Sequence, residues 1–154
     1  MKRILVLHGP NLNLLGEREV SVYGRVTMKA INKALGLAAK RLKIQIKTVQ
    51  SNHEGEIVDL IGQARKRYDA ILINPAAYTH TSVAIRDALL AAALPAVEVH
   101  LSNIYQREEF RHQSLTAPAC IGQVAGFGLE SYLLGFEGLV RTLKESEGKK
   151  GNRG

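Results

Sequence analysis

Apolar segments of two kinds alternate along this chain, and this alternation constrains the fold more than any other feature. Between strand-like runs, apolar residues recur at helical spacing in three segments, and each segment predicts a helix. The first runs from Met28 to Leu42 and has Thr27 as its N-cap, the second runs from Ile57 to Tyr68, and the third covers 82–94 and is stopped by Pro95. A last helix is predicted over 129–146. Five short runs are typical of strands: RILVLHG (3–9), KIQIKTVQS (43–51, alternating as near a sheet edge), AILINP (70–75), AVEVHLS (96–102) and ACIGQVAGF (119–127).

Strict alternation of strand and helix favours a parallel sheet that is covered by helices on both faces. Five strands predict a flavodoxin-like, doubly wound α/β fold with strand order 2-1-3-4-5. A chain of 154 residues fits one domain, which we expect over residues 1–146. The remaining residues, 147–154, are predicted to be a disordered tail.

The composition, with 45% hydrophobic and 23% charged residues, is ordinary for a soluble globular protein. No run of 18 apolar residues and no signal peptide is recognisable, so a cytoplasmic location is expected. The single cysteine, Cys120, lies in an apolar run and is interpreted as a buried, inert thiol. The net charge of +7 is spread over helix faces and the tail, without clustered aromatic residues, which disfavours nucleic acid and suits a small anionic ligand.

Polar residues gather in three segments that follow predicted strands. HGPNLNLLGEREVSVYG (8–24) follows the first strand, NPAAYTHTS (74–82) follows the third, and REEFRHQS (107–114) lies beyond the fourth. Carboxyl ends of parallel strands meet at one edge of a sheet, where ligands bind near the topological switch point. We therefore expect the functional site at this edge.

Several kinds of site fit these segments poorly. Neither G-x-G-x-x-G nor G-x-x-x-x-G-K-[ST] occurs, and HGPNLN lacks the Ser and Thr residues of an FMN phosphate loop. A phospho-acceptor domain would need acidic residues where the chain has asparagines. The histidines of the site segments lack metal-ligand spacings such as H-E-x-x-H, so no metal is expected.

Acid–base chemistry fits better. Glu98, His100 and Ser102 alternate, so a strand would place all three on one face. Glu98 could orient His100 and hold a proton on it, as a general acid requires. The alternative is a core histidine with satisfied hydrogen bonds. Arg107 and Arg111 lie one helical turn apart and could bind a carboxylate or hydroxyls, or belong to a solvated run of charges.

Tyr23 lies in a segment between Gly16 and Gly24 that has no hydrophobic periodicity. A phenol is a useful base near neutral pH only if its anion is stabilised, and Arg18 is the cation in this segment. The two glycines would let the segment close over a ligand as a lid. The residues alone leave two interpretations of Tyr23 open, a base beside a guanidinium or an amphipathic packing residue.

These motifs resemble the type II 3-dehydroquinate dehydratases of the shikimate pathway. The resemblance implies anti elimination of water from 3-dehydroquinate to 3-dehydroshikimate through an enolate, without a cofactor. No lysine lies in the three site segments, which argues against imine-forming type I chemistry. The resembling stretches cover nearly the whole chain: LVLHGPNLNLLGERE (5–19), SNHEGEIVD (51–59), INPAAYTHTSVAIRDAL (73–89), VEVHLSNIYQREEFRHQS (97–114) and GFGLESYLLG (126–135).

The resemblance implies a role for each matched residue. Tyr23 would take the C2 proton of the substrate, with Arg18 stabilising the transition state and Asn11 holding a water against the enolate. His100, with Glu98 behind it, would protonate the leaving C1 hydroxyl. The implied substrate-binding residues are Asn74, the backbone at Leu101, and Ser102 for the carboxylate, and His80, Asp87 and Arg111 for the ring hydroxyls.

The resemblance also implies a homododecamer of four trimers, in which Asp87 reaches a neighbouring subunit's site. One departure concerns the lid. Val20 stands where the family commonly has proline, and a proline would restrict the conformations of the open lid. We therefore expect residues 15–24 to be the most mobile internal segment without ligand and to order around an anionic ring analogue. A small-anion binding or regulatory module of the same fold is the rival class of function.

Overall fold

The computed structural model describes residues 1–17 and 19–151, and within them one five-stranded parallel sheet has the order β2-β1-β3-β4-β5. Each neighbouring pair of strands is parallel. The predicted flavodoxin-like order is therefore confirmed. The strands are β1 (Arg3–His8), β2 (Gln45–Gln50), β3 (Ala70–Asn74), β4 (Ala96–His100) and β5 (Gly122–Ala125).

The helices begin close to where the sequence predicts them. Thr27 Oγ1 accepts a hydrogen bond from Ala30 N at 3.1 Å, and Ser82 Oγ accepts one from Ile85 N at 2.9 Å, so hydroxyl side chains cap two of the helices. The helices are α1 (Val20–Tyr23), α2 (Met28–Leu42), α3 (Glu54–Ala64), α4 (Val83–Ala92) and α5 (Leu129–Gly151). The last helix continues beyond 146, the predicted end of the domain, and the disordered tail stays a prediction. No helix of the described ranges is both long enough and apolar enough to span a membrane.

Two apolar layers cover the sheet, because successive side chains of a strand point to opposite faces. Ile4 and Val6 of β1 pack with α2 and α5, whereas Leu5 and Leu7 pack with α3 and α4. Strands β1, β3 and β4 are buried over almost their whole length, while β2 is half exposed, as expected for an edge strand.

The region before β5 differs from the prediction of one strand over 119–127. Ala117–Ala119 forms a short 3-10 turn that contains Pro118, and only Gly122–Ala125 pairs with β4. Cys120 follows the turn and is half-buried. Burial, with a smaller contribution from the Glu98 carboxylate, raises the pKa of the Cys120 thiol to about 12, so the thiol stays protonated at neutral pH.

Helix α5 lies against β4 at Gly135. A Cβ atom at this position would lie 2.6 Å from Val99 Cγ1 and 3.2 Å from Val97 Cγ1. The helix therefore approaches the sheet more closely than any larger residue at position 135 would allow.

A buried polar network lies at the carboxyl end of β1. His8 is 1% exposed; its Nδ1 lies 2.8 Å from Tyr132 Oη of α5, and its Nε2 lies 2.7 Å from Asn32 Oδ1 of α2. Burial lowers the pKa of His8, and the hydrogen bond to Asn32 raises it by a smaller amount. The core thus holds this histidine neutral between two helices.

The contact at Gly135 predicts a position-specific penalty. Gly135→Ala should lower the free energy of unfolding by about 1–3 kcal/mol, because the added methyl group overpacks the contact with β4. Gly138→Ala is the matched control on the same helix, since a Cβ atom there meets nothing within 4 Å; it should be neutral or stabilise by up to about 1 kcal/mol. Urea unfolding compares the two, and equal effects would contradict the packing account.

The buried His8 predicts that acid weakens the fold. The unfolded chain protonates this residue near its ordinary pKa of about 6.5. The folded chain does so only at lower pH, so the unfolded state binds more protons in this window and the free energy of unfolding falls as pH decreases below about 6.5. His8→Gln, which keeps a donor and an acceptor but cannot titrate, should show a shallower fall.

The measurement is urea unfolding of both proteins at one protein concentration, at about pH 7.5 and about pH 5.5. His80, whose pKa is also lowered, is present in both proteins, so the difference isolates His8. Identical falls would show that His8 does not supply this pH dependence.

Candidate active site

A cavity of about 140 Å³ lies beyond the carboxyl ends of β1, β3 and β4, at the edge of the sheet that the sequence predicts. Its wall comes from all three polar segments. Eight of the predicted site residues line it: Asn11, Tyr23, Asn74, His80, His100, Leu101, Ser102 and Arg111. Their roles stay predictions, but the cavity does bring them together.

The loops after β1 and β3 run in direct contact, and this contact forms one wall of the cavity. Gly9 N donates to Asn74 O at 2.8 Å, and a Cβ atom at Gly9 would lie 2.5 Å from Pro75 O. Asn11 follows with a left-handed backbone (φ 65°), and its N–H donates to Asn52 Oδ1 at 2.9 Å. Asn11 and Asn74 therefore line the same side of the cavity.

Glu98 and His100 form a buried pair at the end of β4, with 2.9 Å between Glu98 Oε2 and His100 Nε2. Glu98 is 0% exposed, and its carboxylate also accepts hydrogen bonds from Ser114 Oγ (2.8 Å), Gln123 Nε2 (2.7 Å) and Thr116 Oγ1. Burial alone would raise the pKa of Glu98, but the hydrogen bond and charge of His100, and the hydroxyls of Thr116 and Ser114, bring it below its ordinary value.

The ionised Glu98 determines the tautomer of its neighbour. A carboxylate only accepts hydrogen bonds, so Nε2 of His100 carries a proton and Nδ1 is the ring nitrogen left to face a ligand. Ser102, predicted on the same strand face, lies beyond the end of β4 in a bend and still lines the cavity. The donors Ser114, Thr116 and Gln123 were not predicted, because no local pattern links them to Glu98.

The structure pairs Tyr23 with Arg107. Arg107 Nη1 donates to Tyr23 Oη at 2.7 Å, and the guanidinium carbon lies 5.2 Å from the centroid of the ring. The carbonyl of Arg107 accepts a hydrogen bond from His112 Nε2 at 2.9 Å, which fixes the loop that carries the arginine. The predicted partner Arg18 lies outside the described residues, so its position beside Tyr23 stays a prediction.

Arg107 and Arg111, one helical turn apart in the sequence, do not lie on one helix. Ile104–Gln106 and Glu109–Arg111 are separate 3-10 turns, and Arg107 between them has an extended backbone. Both arginines nevertheless line the cavity. Arg111 Nε also donates to Glu108 Oε2 at 2.8 Å, as the alternative of a charge run suggested.

His80 and Asp87 differ in their placement. His80 Nδ1 donates a hydrogen bond to Gln113 O at 2.7 Å. Burial lowers the pKa of His80, and the charges of His100 and Arg111 lower it further, whereas the hydrogen bond to Gln113 raises it by less than burial lowers it. A neutral His80 therefore has Nε2 available as an acceptor. Asp87 lies exposed on α4 and does not line the cavity of its own chain.

The predicted lid contains one helical turn, α1, between two glycines with left-handed backbones, Gly16 (φ 88°) and Gly24 (φ 69°). Residues other than glycine rarely adopt such angles, so the backbone at Gly16, and at Gly24 directly after the turn, suits glycine. Val20 and Val22 of this turn are exposed. The mobility of residues 15–24 stays a prediction.

Within residues 1–17 and 19–151, no three His, Cys, Asp or Glu side chains are grouped so that they could hold a metal ion. The polar side chains that line the cavity are one phenol, two imidazoles, two guanidinium groups, two amides and one hydroxyl. Such a set suits proton transfer on an anionic ligand.

Known proteins share the sequence and the fold of this chain. Residues 2–140 match the family model described as dehydroquinase class II. The 3-dehydroquinate dehydratase of a Nostoc strain is 61% identical over 141 residues, which span 92% of this chain and 96% of that protein. A crystal structure of type II dehydroquinase from Butyrivibrio crossotus has a TM-score of 0.87 at 46% identity, covering 90% of this chain and 97% of the other.

A second crystal structure, of type II dehydroquinase from Propionibacterium acnes, also has a TM-score of 0.87, at 40% identity, and covers 92% of this chain and 97% of the other. The match therefore extends over the sheet, the helices and all three site segments. The sequence, the strand order and the cavity at the switch point lead to the same result: the chain belongs to the class II dehydroquinase family.

Proposed function

We propose that this protein is a cytoplasmic type II 3-dehydroquinate dehydratase, which converts 3-dehydroquinate to 3-dehydroshikimate and water in the shikimate pathway. The observation that carries the proposal is one cavity in which Tyr23 contacts a guanidinium and His100 contacts a carboxylate. This elimination requires a base and an acid. A positive charge beside the base stabilises its anion, and a negative charge beside the acid stabilises its protonated form. Family membership and the name of the Nostoc relative support the choice of substrate.

Tyr23 acts as the base. The proton at C2 of the substrate lies alpha to the C3 ketone, so its removal gives an enolate. The Arg107 guanidinium, 2.7 Å from the phenol oxygen, stabilises the phenolate that takes this proton. Arg18 adds a second positive charge from the lid in this proposal, and Asn11 holds a water that donates to the enolate oxygen.

His100 acts as the acid. When the enolate collapses to the conjugated enone, the C1–O bond breaks, and His100 supplies the proton with which the hydroxide leaves as water. The negative charge of Glu98, 2.9 Å from Nε2, stabilises the protonated imidazole before the transfer. The three further donors to Glu98 keep that carboxylate ionised although it is buried.

Donor groups of the remaining wall bind the substrate. Asn74, the backbone at Leu101, and Ser102 bind the carboxylate, where N–H and O–H groups suit a negative charge. His80 and Arg111 bind ring hydroxyls, His80 through the acceptor nitrogen that its bond to Gln113 leaves available. No cofactor takes part in the proposed reaction, because a ketone already acidifies the C2 proton.

The proposed assembly is a homododecamer of four trimers. The position of Asp87, outside the cavity of its own chain, supports this proposal. Asp87 lies on α4 between Val83 and Leu90, two exposed apolar residues at helical spacing. An exposed apolar stripe suits a subunit interface. In the trimer, Asp87 of one subunit completes the ring-hydroxyl site of its neighbour, which explains why it does not line the cavity of its own chain.

The two halves of the reaction should respond separately to substitution. Tyr23→Phe removes the base but keeps the ring, so turnover should fall by about 10²–10⁴-fold, together with exchange of the C2 proton into deuterated solvent. His100→Ala should lose turnover to a similar degree but keep C2 exchange, because enolate formation precedes loss of the hydroxyl. The measurements are enone absorbance and deuterium incorporation at C2.

Tyr105→Phe is the matched control, since Tyr105 is exposed and does not line the cavity; it should retain activity. If Tyr23→Phe exchanges the C2 proton at the wild-type rate, Tyr23 is not the base. Wild-type protein that binds the substrate without forming enone would instead favour the small-anion binding module.

The assembly predicts a site shared between subunits. Asp87→Asn should lower turnover, and coexpression of Asp87→Asn with Tyr23→Phe should restore part of it, because mixed trimers contain sites with both native residues. Asp59→Asn, on the exposed face of α3, is the control and should keep full activity. Sedimentation should give about 200 kDa for twelve chains; a fully active monomer would contradict the assembly.

A further inference from the structure

The loop after β2 is hydrogen-bonded to the loop that carries Asn11. Asn52, two residues beyond the end of β2, accepts a hydrogen bond on its side-chain oxygen from Asn11 N–H at 2.9 Å. The main-chain carbonyl of Asn52 accepts another from Tyr78 Oη at 2.6 Å. Because Tyr78 belongs to the segment after β3, Asn52 joins the loops that follow three neighbouring strands, β2, β1 and β3.

The hydrogen bonds fix the orientation of two amide side chains at this junction. An N–H group can face only the oxygen of an amide, so Asn52 Oδ1 points at the backbone of Asn11. Gln50 Nε2 donates to the same Oδ1 at 3.0 Å and to Gly9 O at 3.2 Å, which uses both hydrogens of its NH₂ group. Neither amide can turn over without losing these bonds, so Gln50 holds the oxygen of Asn52 in place.

The backbone of Asn11 is left-handed, with φ 65° and ψ 0°. This conformation costs most residues about 1–2 kcal/mol, although asparagine adopts it more readily than most. Asn52 accepts from the N–H of Asn11, and the carbonyl of Asn11 accepts from Leu14 N–H at 3.0 Å. The peptide groups on both sides of the Asn11 Cα are therefore fixed, and they set the direction in which its side chain leaves the backbone at the cavity wall.

We propose that Asn52 is a positioning residue for the reaction, because it holds Asn11 in the conformation that lines the cavity. This inference rests on the proposed function, in which Asn11 holds a water against the enolate oxygen. Asn52 does not line the cavity, so it acts through Asn11 and not on the substrate. The charge on the enolate oxygen develops only during the reaction, so a displaced Asn11 slows turnover more than it weakens substrate binding.

Asn52→Ala tests the proposal by removing the acceptor. The variant should lower kcat about tenfold and change KM less than about threefold, as for the loss of an interaction made in the transition state. Exchange of the C2 proton into deuterated solvent, which reports enolate formation, should slow about tenfold as well. Asn13→Ala is the matched control, since Asn13 is exposed in the same loop as Asn11 and does not line the cavity; it should keep the wild-type kcat.

Two further variants separate the hydrogen bond from the bulk of the side chain. Asn52→Asp keeps an oxygen that accepts from Asn11 N–H and from Gln50 Nε2, so it should keep kcat within about threefold of wild type. Asn52→Leu has a side chain of similar size without an acceptor and should lower kcat as Asn52→Ala does. Equal losses in Asn52→Asp and Asn52→Leu would overturn the proposal. If Asn52→Leu fails to fold, the comparison of Asn52→Asp with Asn52→Ala decides the question.

A double-mutant cycle identifies the route of the effect. Asn11→Ala should lower kcat by about 10²–10³-fold, as for the loss of an oxyanion donor. If Asn52 acts through Asn11, adding Asn52→Ala to that variant lowers kcat less than about twofold further. Multiplying effects would overturn the proposal, as would an Asn52→Ala enzyme that is less stable in urea but has the wild-type kcat and C2 exchange. Wild-type protein without dehydratase activity would overturn the proposed function, and the positioning role with it.

Discussion

The hydrogen bond from Gly9 N to Asn74 O extends the pairing of β1 and β3 past the ends of both strands, and the site depends on this contact. Strand order reverses at this pair, so the chain leaves β1 and β3 toward opposite sides of the sheet and opens a crevice between them. A side chain at position 9 would collide with Pro75 O, 2.5 Å from the Cβ position, and would force the two loops apart. Because Asn11 and Asn74 are carried by these loops, the close approach of two backbones determines one wall of the cavity.

Tyr23 and His100, which both line the cavity, each contact a charged side chain. Tyr23 receives a hydrogen bond from Arg107, and His100 donates one to Glu98. The partner of the phenol is a cation, and the partner of the imidazole is an anion. One cavity therefore contains two side-chain pairs whose charged members have opposite signs, as the proposed base and acid require. The burial of Glu98 strengthens the second pair, since little water screens it.

Patterns within single segments allowed much of the fold and one of these two contacts, that between Glu98 and His100, to be predicted from the sequence. Apolar periodicity indicated the strands and helices, and alternation along one strand indicated that Glu98 and His100 share a face. The contact between Tyr23 and Arg107 spans 84 positions, and that between His8 and Tyr132 spans 124. Such contacts arise only when the chain is folded, and irregular 3-10 turns after β4 decide where Arg107 points. Local spacing carries no information about them.

The environment of Cys120 has a practical consequence. Thiolates, not thiols, react with alkylating reagents, and a pKa of about 12 leaves the native thiol about 10³-fold less ionised at neutral pH than an exposed cysteine. Cys120 is the only cysteine of the chain. The native sequence is therefore already a suitable background for site-specific labelling. A cysteine introduced at Val22, exposed on α1, would react selectively and would carry a fluorophore or spin label on the segment that borders the cavity.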